Sequence, residues 1–191
     1  IPGQPFSVAG PMARNVSDVA LLLDAMVGHH PRDPISLPRT TTSYIDAVKS
    51  RTKPKKVAFS RDLGVTPVDP AVADICEKAA KRFEQLGCIV EEAHPDFSDV
   101  QDIFQTWRAM SFYVGKKTLL DTNKDLLKPE VVWNIEQAAE ITVDDFARVE
   151  LARARYLDRA VTFFEEYDLL LSPATIVPPY PVEQRFVAEL G

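Results

Sequence analysis

The residue spacing most suggestive of covalent chemistry is Ser50-Arg51-Thr52-Lys53, which matches the S-x-x-K pattern. Serine acyl-transferring enzymes place this serine at a helix N-terminus, where the lysine one turn later accepts its proton. Here the serine ends a short predicted helix over residues 42–50, and Pro54 disfavours helical geometry at Lys53. We therefore interpret the match as accidental.

Three other groups of reactive side chains are interpreted as structural. Adjacent histidines His29-His30 lie in a loop without a third ligand at metal-binding spacing, so no metal is predicted. The adjacent acids Glu91-Glu92 point to opposite faces of a predicted strand, so they cannot act as a paired acid and base and are interpreted as edge charges. The two cysteines, Cys76 and Cys88, form no CxxC pair and are predicted to be small buried apolar residues in a reducing compartment.

The segment most favoured as part of a ligand site is Ser172-Pro173-Ala174-Thr175. It follows a predicted strand over 168–172, whose run of three leucines suggests burial on both faces, as in a central parallel strand. We expect this strand beside residues 56–60, on the side away from residues 88–92. The strand order then reverses between the ends at Ser60 and Ser172, and open α/β sheets bind ligands at such points.

The strands that position this segment belong to a predicted βαβ unit. Residues 56–60 and 88–92 are short apolar runs, and a helix between them begins at Asp69-Pro70 and ends at Gly87. A strand, a helix and a second strand in this order favour parallel pairing with a right-handed crossover.

Residues 98–166 are predicted to be helical. Ser98 and Thr142 are each followed three residues later by a Gln or Asp that can complete a capping box, and Pro129 can open the helix between them. Three large side chains in this region could line a substrate funnel, but packing in the core is the favoured interpretation; they are Trp107, Met110 and Tyr113.

The N-terminal stretch predicts a helix capped by Asn15 and ended by Gly28. Apolar residues occupy most sides of this helix, so it is expected to be buried.

Two parts of the chain resemble the amidase signature family. A G-P-(apolar)-x-R turn at Gly10–Arg14 leads into a V-x-D-x-A-L-L-L helix at Val16–Leu23 and a D-P loop at Gly28–Pro34. Near the C-terminus, Tyr167–Pro173 matches the family's Y-D-(apolar)-L-L-(S/T)-P segment. The resemblance implies hydrolysis of an amide C–N bond through an acyl-serine intermediate, and it places the loop after the last strand beside the catalytic cleft.

The family's nucleophilic serine, second serine and lysine lie upstream of the G-P turn, whereas this chain begins at Ile1, almost on that turn. We therefore expect the C-terminal part of a longer amidase, which supplies sheet and cleft wall but no catalytic residue and is inactive alone. No cofactor is implied, and the expected ligand is a small-molecule amide bound by the full-length enzyme. The alternative is a non-catalytic binding or scaffold module that retains this half of the fold.

Composition sets the remaining expectations. The 191 residues, 46% of them hydrophobic, suit one globular domain. The βαβ unit and the resemblance imply an α/β fold with layered helices around a mixed, largely parallel sheet. Its expected segments are 1–53, 54–97, 98–167 and 168–191. A net charge of −6 argues against a nucleic-acid surface.

The absence of an apolar run of about eighteen residues argues against a membrane span. Together with the lack of a signal peptide, it leads us to expect a cytoplasmic protein. Apolar surface and open strand edges left by a partial fold predict homo-oligomers.

Overall fold

A computed structural model describes residues 8–50 and 52–190 of the chain. The chain divides into two compact units, Ile1–Lys53 and Pro54–Gly191. Arg51, inside the S-x-x-K match, lies outside the described residues.

The described residues of the first unit form two helices, α1 (Val16–Met26) and α2 (Tyr44–Ser50). As predicted, Asn15 caps α1, because its side-chain oxygen accepts a hydrogen bond of 2.9 Å from the Asp18 backbone N–H. Gly28 follows the helix at φ +138°, a conformation that favours glycine. Asp24 of α1 ties the two helices together, since its carboxylate accepts hydrogen bonds from the first two backbone N–H groups of α2, at 2.8 and 3.1 Å.

The prediction that α1 is buried is wrong for this chain. Ala20 is its one buried residue. The large apolar side chains on its other sides are exposed, namely Val16, Leu21, Leu22 and Met26. The physical reason is that α2, its partner within the unit, has seven residues and covers one part of the helix surface.

The described residues of the second unit form three strands and five α-helices, with short 3-10 helices at Lys124–Leu126 and Ala138–Glu140. In chain order the strands and α-helices are β1 (Lys56–Phe59), α3 (Pro70–Ala80), α4 (Arg82–Gln85), β2 (Ile89–Glu92), α5 (Val100–Asn123), α6 (Pro129–Gln137), α7 (Val143–Glu166) and β3 (Leu169–Leu171).

The three strands form one sheet in the order β2-β1-β3, and both pairings are parallel. Strand β1 is central, with Val57 aligned with Val90 on one side and Leu169 on the other. Val57 and Ala58 are fully buried, at 0% exposure. The predicted parallel βαβ unit and the predicted position of β3 are therefore confirmed.

The prediction that the leucine strand is buried on both faces is wrong within the described sheet. β3 pairs with β1 and has no described strand on its other side. Leu169 is consequently exposed, and Leu170 and Leu171 are half-buried.

Polar contacts at the amino ends of the strands hold β3 against β1. The Asp168 carboxylate accepts hydrogen bonds from the backbone N–H groups of Lys55 at 2.6 Å and Lys56 at 3.0 Å, and these bonds lower the Asp168 pKa. Glu91 on the edge strand β2 binds the Lys56 ammonium at 2.9 Å and accepts a 2.8 Å hydrogen bond from the Tyr167 hydroxyl. Both contacts lower the Glu91 pKa, and the contact with Lys56 has the larger effect. Glu91 is therefore an edge charge that also links β2 to Lys56 of β1 and to Tyr167, two residues before β3.

The helical layer has its own buried cluster between α5 and α7. Ile103, Val149 and Ala152 form it, and Trp107 and Tyr156 pack against them. The indole N–H of Trp107 also donates a 2.7 Å hydrogen bond to Glu150 of α7. Trp107 is thus a packing residue, as the favoured interpretation held.

One of the two predicted capping boxes is present. Thr142 Oγ1 accepts from the Asp145 N–H at 3.1 Å, and the Asp145 carboxylate accepts from the Thr142 N–H at 3.1 Å. The box at Ser98 is wrong, because α5 begins after Asp99. The Ser98 N–H instead donates to the Asp96 carboxylate at 2.9 Å, so an Asx turn takes the place of the cap.

Candidate functional site

The candidate site lies at the carboxyl edge of the sheet, where β1 and β3 end side by side. The Ser60 backbone N–H donates to the Leu171 carbonyl at 3.0 Å, which extends the strand pairing to the last residue of β3. Ser60 is 3% exposed, and Ser172 directly follows Leu171. The structure therefore brings together the two strand ends between which the strand order reverses.

The loop after β1 is a tight turn that lies against the residues following β2. Ser60 Oγ accepts a hydrogen bond from the Leu63 N–H at 2.9 Å, and Asp62 accepts one from the Gly64 N–H at 2.8 Å. Gly64 has φ +68°, and a Cβ there would lie 2.9 Å from Cε1 of His94. The positive φ favours glycine at this position, and a Cβ there would displace the His94 ring.

The loop after β3 is attached to the start of α3. The Ile176 carbonyl accepts a 2.8 Å hydrogen bond from the Asp69 N–H. Asp69 in turn caps α3, since its carboxylate accepts from the Ala71 N–H at 2.8 Å. Loops that follow all three strands thus gather along one edge of the sheet.

The predicted ligand segment lies in this edge. Ser172, Ala174 and Thr175 are exposed and Pro173 is half-buried. The Thr175 hydroxyl donates to the Val177 carbonyl at 3.1 Å, which holds the segment in a turn.

An apolar cavity of about 470 Å³ begins one residue beyond this segment. Ile176, Val177 and Tyr180 line it together with Pro67 and the C-terminal residues around Phe186. The sequence prediction stopped at Thr175 and missed these residues. Their available signal was the alternation of apolar residues with prolines from 176 to 182, which offers apolar side chains but no regular element to bury them.

The cation that follows β1 is paired. Arg61, the residue after Ser60, forms an ion pair with Asp74 of α3 at 2.7 Å and a second one with Glu77. The contact with Asp74 raises the Arg61 pKa, and the same contact lowers the pKa of Asp74. Arg61 therefore fixes the loop to α3. The neighbouring cavity is lined mainly by apolar side chains, with Glu189 as its one charged residue among those that line it.

The other reactive residues occupy structural positions. Ser50 ends α2, where its hydroxyl donates to the Ala47 carbonyl at 2.7 Å. His30 Nδ1 accepts from the Arg32 N–H at 3.3 Å within a turn. Cys88 is buried and contacts the Pro54 carbonyl at 3.1 Å.

Across residues 8–50 and 52–190, no three His, Cys, Asp or Glu side chains are grouped to hold a metal ion. Over the same residues, no helix has the length and apolar character needed to cross a membrane.

A parallel sheet with helical crossovers and loops gathered at a reversal of strand order defines the α/β class of ligand-binding proteins and enzymes. Within that class the family is shown by the sequence itself. Residues 3–188 match the Amidase family model, and the chain belongs to this family.

Relatives with known names agree with this assignment. The chain is 32% identical to an acylamidase of Rhodococcus erythropolis over 92% of its own length and 37% of the relative's. It is 31% identical to an indoleacetamide hydrolase of Bradyrhizobium diazoefficiens over 96% of its length and 35% of the relative's. In three dimensions it resembles a bacterial aryl acylamidase of the amidase signature family, with a TM-score of 0.79, 27% identity and coverage of 90% of this chain and 37% of the other. The chain thus spans little more than a third of the length of these relatives.

Proposed function

We propose that the chain is the C-terminal part of an amidase that hydrolyses a carboxylic amide C–N bond. In this proposal it supplies the sheet and one wall of the substrate cleft, while the nucleophile and its base belong to polypeptide outside this chain. The family membership and the similarity to acylamidases and an indoleacetamide hydrolase support the reaction class.

The observation that carries the proposed cleft is the gathering of loops at the carboxyl edge of the sheet. The ends of β1 and β3 are joined by the Ser60–Leu171 hydrogen bond, and the apolar cavity opens beside Thr175. An amide substrate has a neutral reacting group between two substituents, so an apolar cavity next to the reacting centre can bind one of them.

The reaction requires groups that the described residues do not bring together. A serine hydroxyl adds to the amide carbonyl, the amine leaves with the serine proton, and water then releases the carboxylic acid and restores the serine. Backbone N–H groups stabilise the oxyanion in both steps. The buried serine at this edge, Ser60, instead receives its described hydrogen bond from a backbone amide, that of Leu63.

Amide hydrolysis by two polypeptides tests the proposal. The 191-residue chain and the longer product of the same reading frame are each assayed with 4-nitroacetanilide, an aryl amide that releases a coloured amine. We expect turnover by the longer protein and none above buffer by the chain alone. Turnover by the chain alone that a serine-reactive fluorophosphonate abolishes would contradict the assignment of the nucleophile.

The cleft wall is tested in the active, longer protein. Ala174→Leu introduces bulk into the predicted ligand segment, so we expect kcat/KM to fall roughly tenfold or more through an increased KM. The matched control is Ala147→Leu, which adds the same bulk at an exposed position of α7. Equal effects of the two substitutions would remove residues 172–175 from the proposed cleft.

A further inference from the structure

We propose that a cavity between α5 and α6 binds a small-molecule carboxylate through Arg108. This cavity, called the Arg108 cavity below, has a volume of about 400 Å³. Arg108 of α5 lies in one wall and Trp133 of α6 in another. Ligand cavities in proteins commonly have volumes of about 300–1,000 Å³, so the space suits a small organic acid.

Arg108 is half-buried and lacks a partner for its charge. Its Nε–H is buried and has no hydrogen-bond acceptor. Among residues 8–50 and 52–190 the guanidinium forms no ion pair, and its described contacts are with two aromatic rings. Native proteins rarely leave a buried donor unsatisfied, which marks the Arg108 environment as unusual. Because the Nε–H itself is closed to solvent, an external acceptor would meet the terminal N–H groups of the guanidinium, for which the described residues provide no acceptor.

The two rings hold the guanidinium in place. Phe104 and Phe112 lie one turn before and one turn after Arg108 on α5, and the guanidinium carbon is 5.7 and 5.5 Å from their ring centres. Cation–π contacts of this kind fix the position of the cation without using its N–H groups. The donors of Arg108 therefore stay available for a planar acceptor with two oxygens, which a carboxylate supplies.

The acidic residue in the same cavity is already paired. Glu130 forms an ion pair with Arg185, and this contact lowers the Glu130 pKa. With Glu130 and Arg185 neutralising each other, Arg108 leaves the cavity with one uncompensated positive charge. The chain as a whole has an excess of acids, with 28 Asp and Glu against 22 Lys and Arg. An uncompensated cation in a cavity of such a protein favours an anionic ligand.

The surroundings orient that ligand and provide a surface for its apolar part. Trp133 is 52% exposed and offers an indole face to a flat apolar group. A second cavity of about 340 Å³ adjoins the first, since Trp133 lines both. Its lining includes three carboxylates, Asp102, Glu140 and Asp145, and one cation, Arg148. The excess of negative charge there repels an anion, so the carboxylate end of the ligand is directed to Arg108.

Binding of benzoate and benzamide to the purified chain tests this site. The two probes share one shape, and benzoate alone carries the charge. We expect saturable binding by isothermal titration, with benzoate at least tenfold tighter than benzamide, because hydrogen bonds to charged groups are among the stronger ones. Equal affinities, or no saturable binding of benzoate, would overturn the proposal. An acidic side chain of another polypeptide occupying the site would give the second of these results.

Three variants locate the binding. Arg108→Gln is expected to remove the preference for benzoate, and Arg108→Lys to weaken benzoate binding severalfold, because it keeps the charge but loses the planar fork. The matched control is Arg155→Gln, at an exposed arginine of α7, which should leave both affinities unchanged. Unchanged benzoate binding in Arg108→Gln would overturn the assignment. If that variant fails to fold, the contrast between the two probes on the unmodified chain decides the matter. The measurement needs no amide turnover and is therefore independent of the proposed hydrolysis.

Discussion

Strand β1 and helix α1 are both apolar segments, yet the structure buries one and exposes the other. Val57 and Ala58 of β1 are at 0% exposure, whereas Leu21 of α1 is 62% exposed. β1 has a strand on each side within the chain. α1 is contacted within its unit by α2, which is seven residues long.

The difference teaches what an apolar pattern does and does not specify. Apolar residues on most sides of a segment indicate that the segment favours an environment away from water. They do not identify the partner that provides this environment, because the hydrophobic effect is non-directional. An element such as α1 therefore indicates a surface that favours contact with further protein.

The largest expected effect comes from the buried member of this comparison. Val57→Ala removes two methyl groups from the fully buried centre of the sheet, so the free energy of unfolding should fall by about 2–3 kcal/mol. The control is Leu157→Ala on α7, where the side chain is 58% exposed, and the change should stay within about 0.5 kcal/mol. Urea unfolding followed by tryptophan fluorescence measures both, since Trp107 and Trp133 lie in the same unit. Similar losses of unfolding free energy in the two variants would contradict the assignment of Val57 to the buried core and of Leu157 to the surface.

The exposed member of the comparison predicts self-association. We expect the chain to form dimers or higher oligomers through the apolar surface of α1, and Leu21→Lys to weaken this association roughly tenfold or more, since it removes an apolar contact and adds a charge. The control is Leu126→Lys, the same change at an exposed position outside α1. Sedimentation over a concentration series measures the apparent mass, and a strictly monomeric chain would refute the expectation.

Local patterns were sufficient for much of the sheet. The apolar runs, the cap at Asp69 and the rule for parallel crossovers together predicted β1, β2 and the position of β3 beside β1. The same reasoning wrongly expected β3 to be buried on both faces, because three leucines in a row show that a strand is apolar on both faces but not which elements cover them.

The candidate site at the sheet edge was predicted because its position depends on strand order, whereas the separate Arg108 cavity was not predicted because it depends on contacts between distant residues. The adjacency of Ser60 and Ser172 follows from topology. The Arg108 cavity does not, because Arg108 and Trp133 come from separate helices and no spacing in the sequence relates them. Unpartnered charges of this kind become visible when side chains of different elements are brought together.

The sequence pattern of a helix start likewise does not show whether the cap forms. Substitutions at two such positions give the smallest of the expected effects on stability. Thr142→Ala removes a hydroxyl that accepts from the Asp145 N–H at 3.1 Å, so the unfolding free energy should fall by about 1 kcal/mol. Ser98→Ala is the matched control, because this position has the same sequence pattern but caps no helix, and α5 begins two residues later, at Val100. Its effect should lie within about 0.5 kcal/mol. Urea titrations of the two variants measure the difference, and an equal loss would mean that Ser98 stabilises the start of α5 after all.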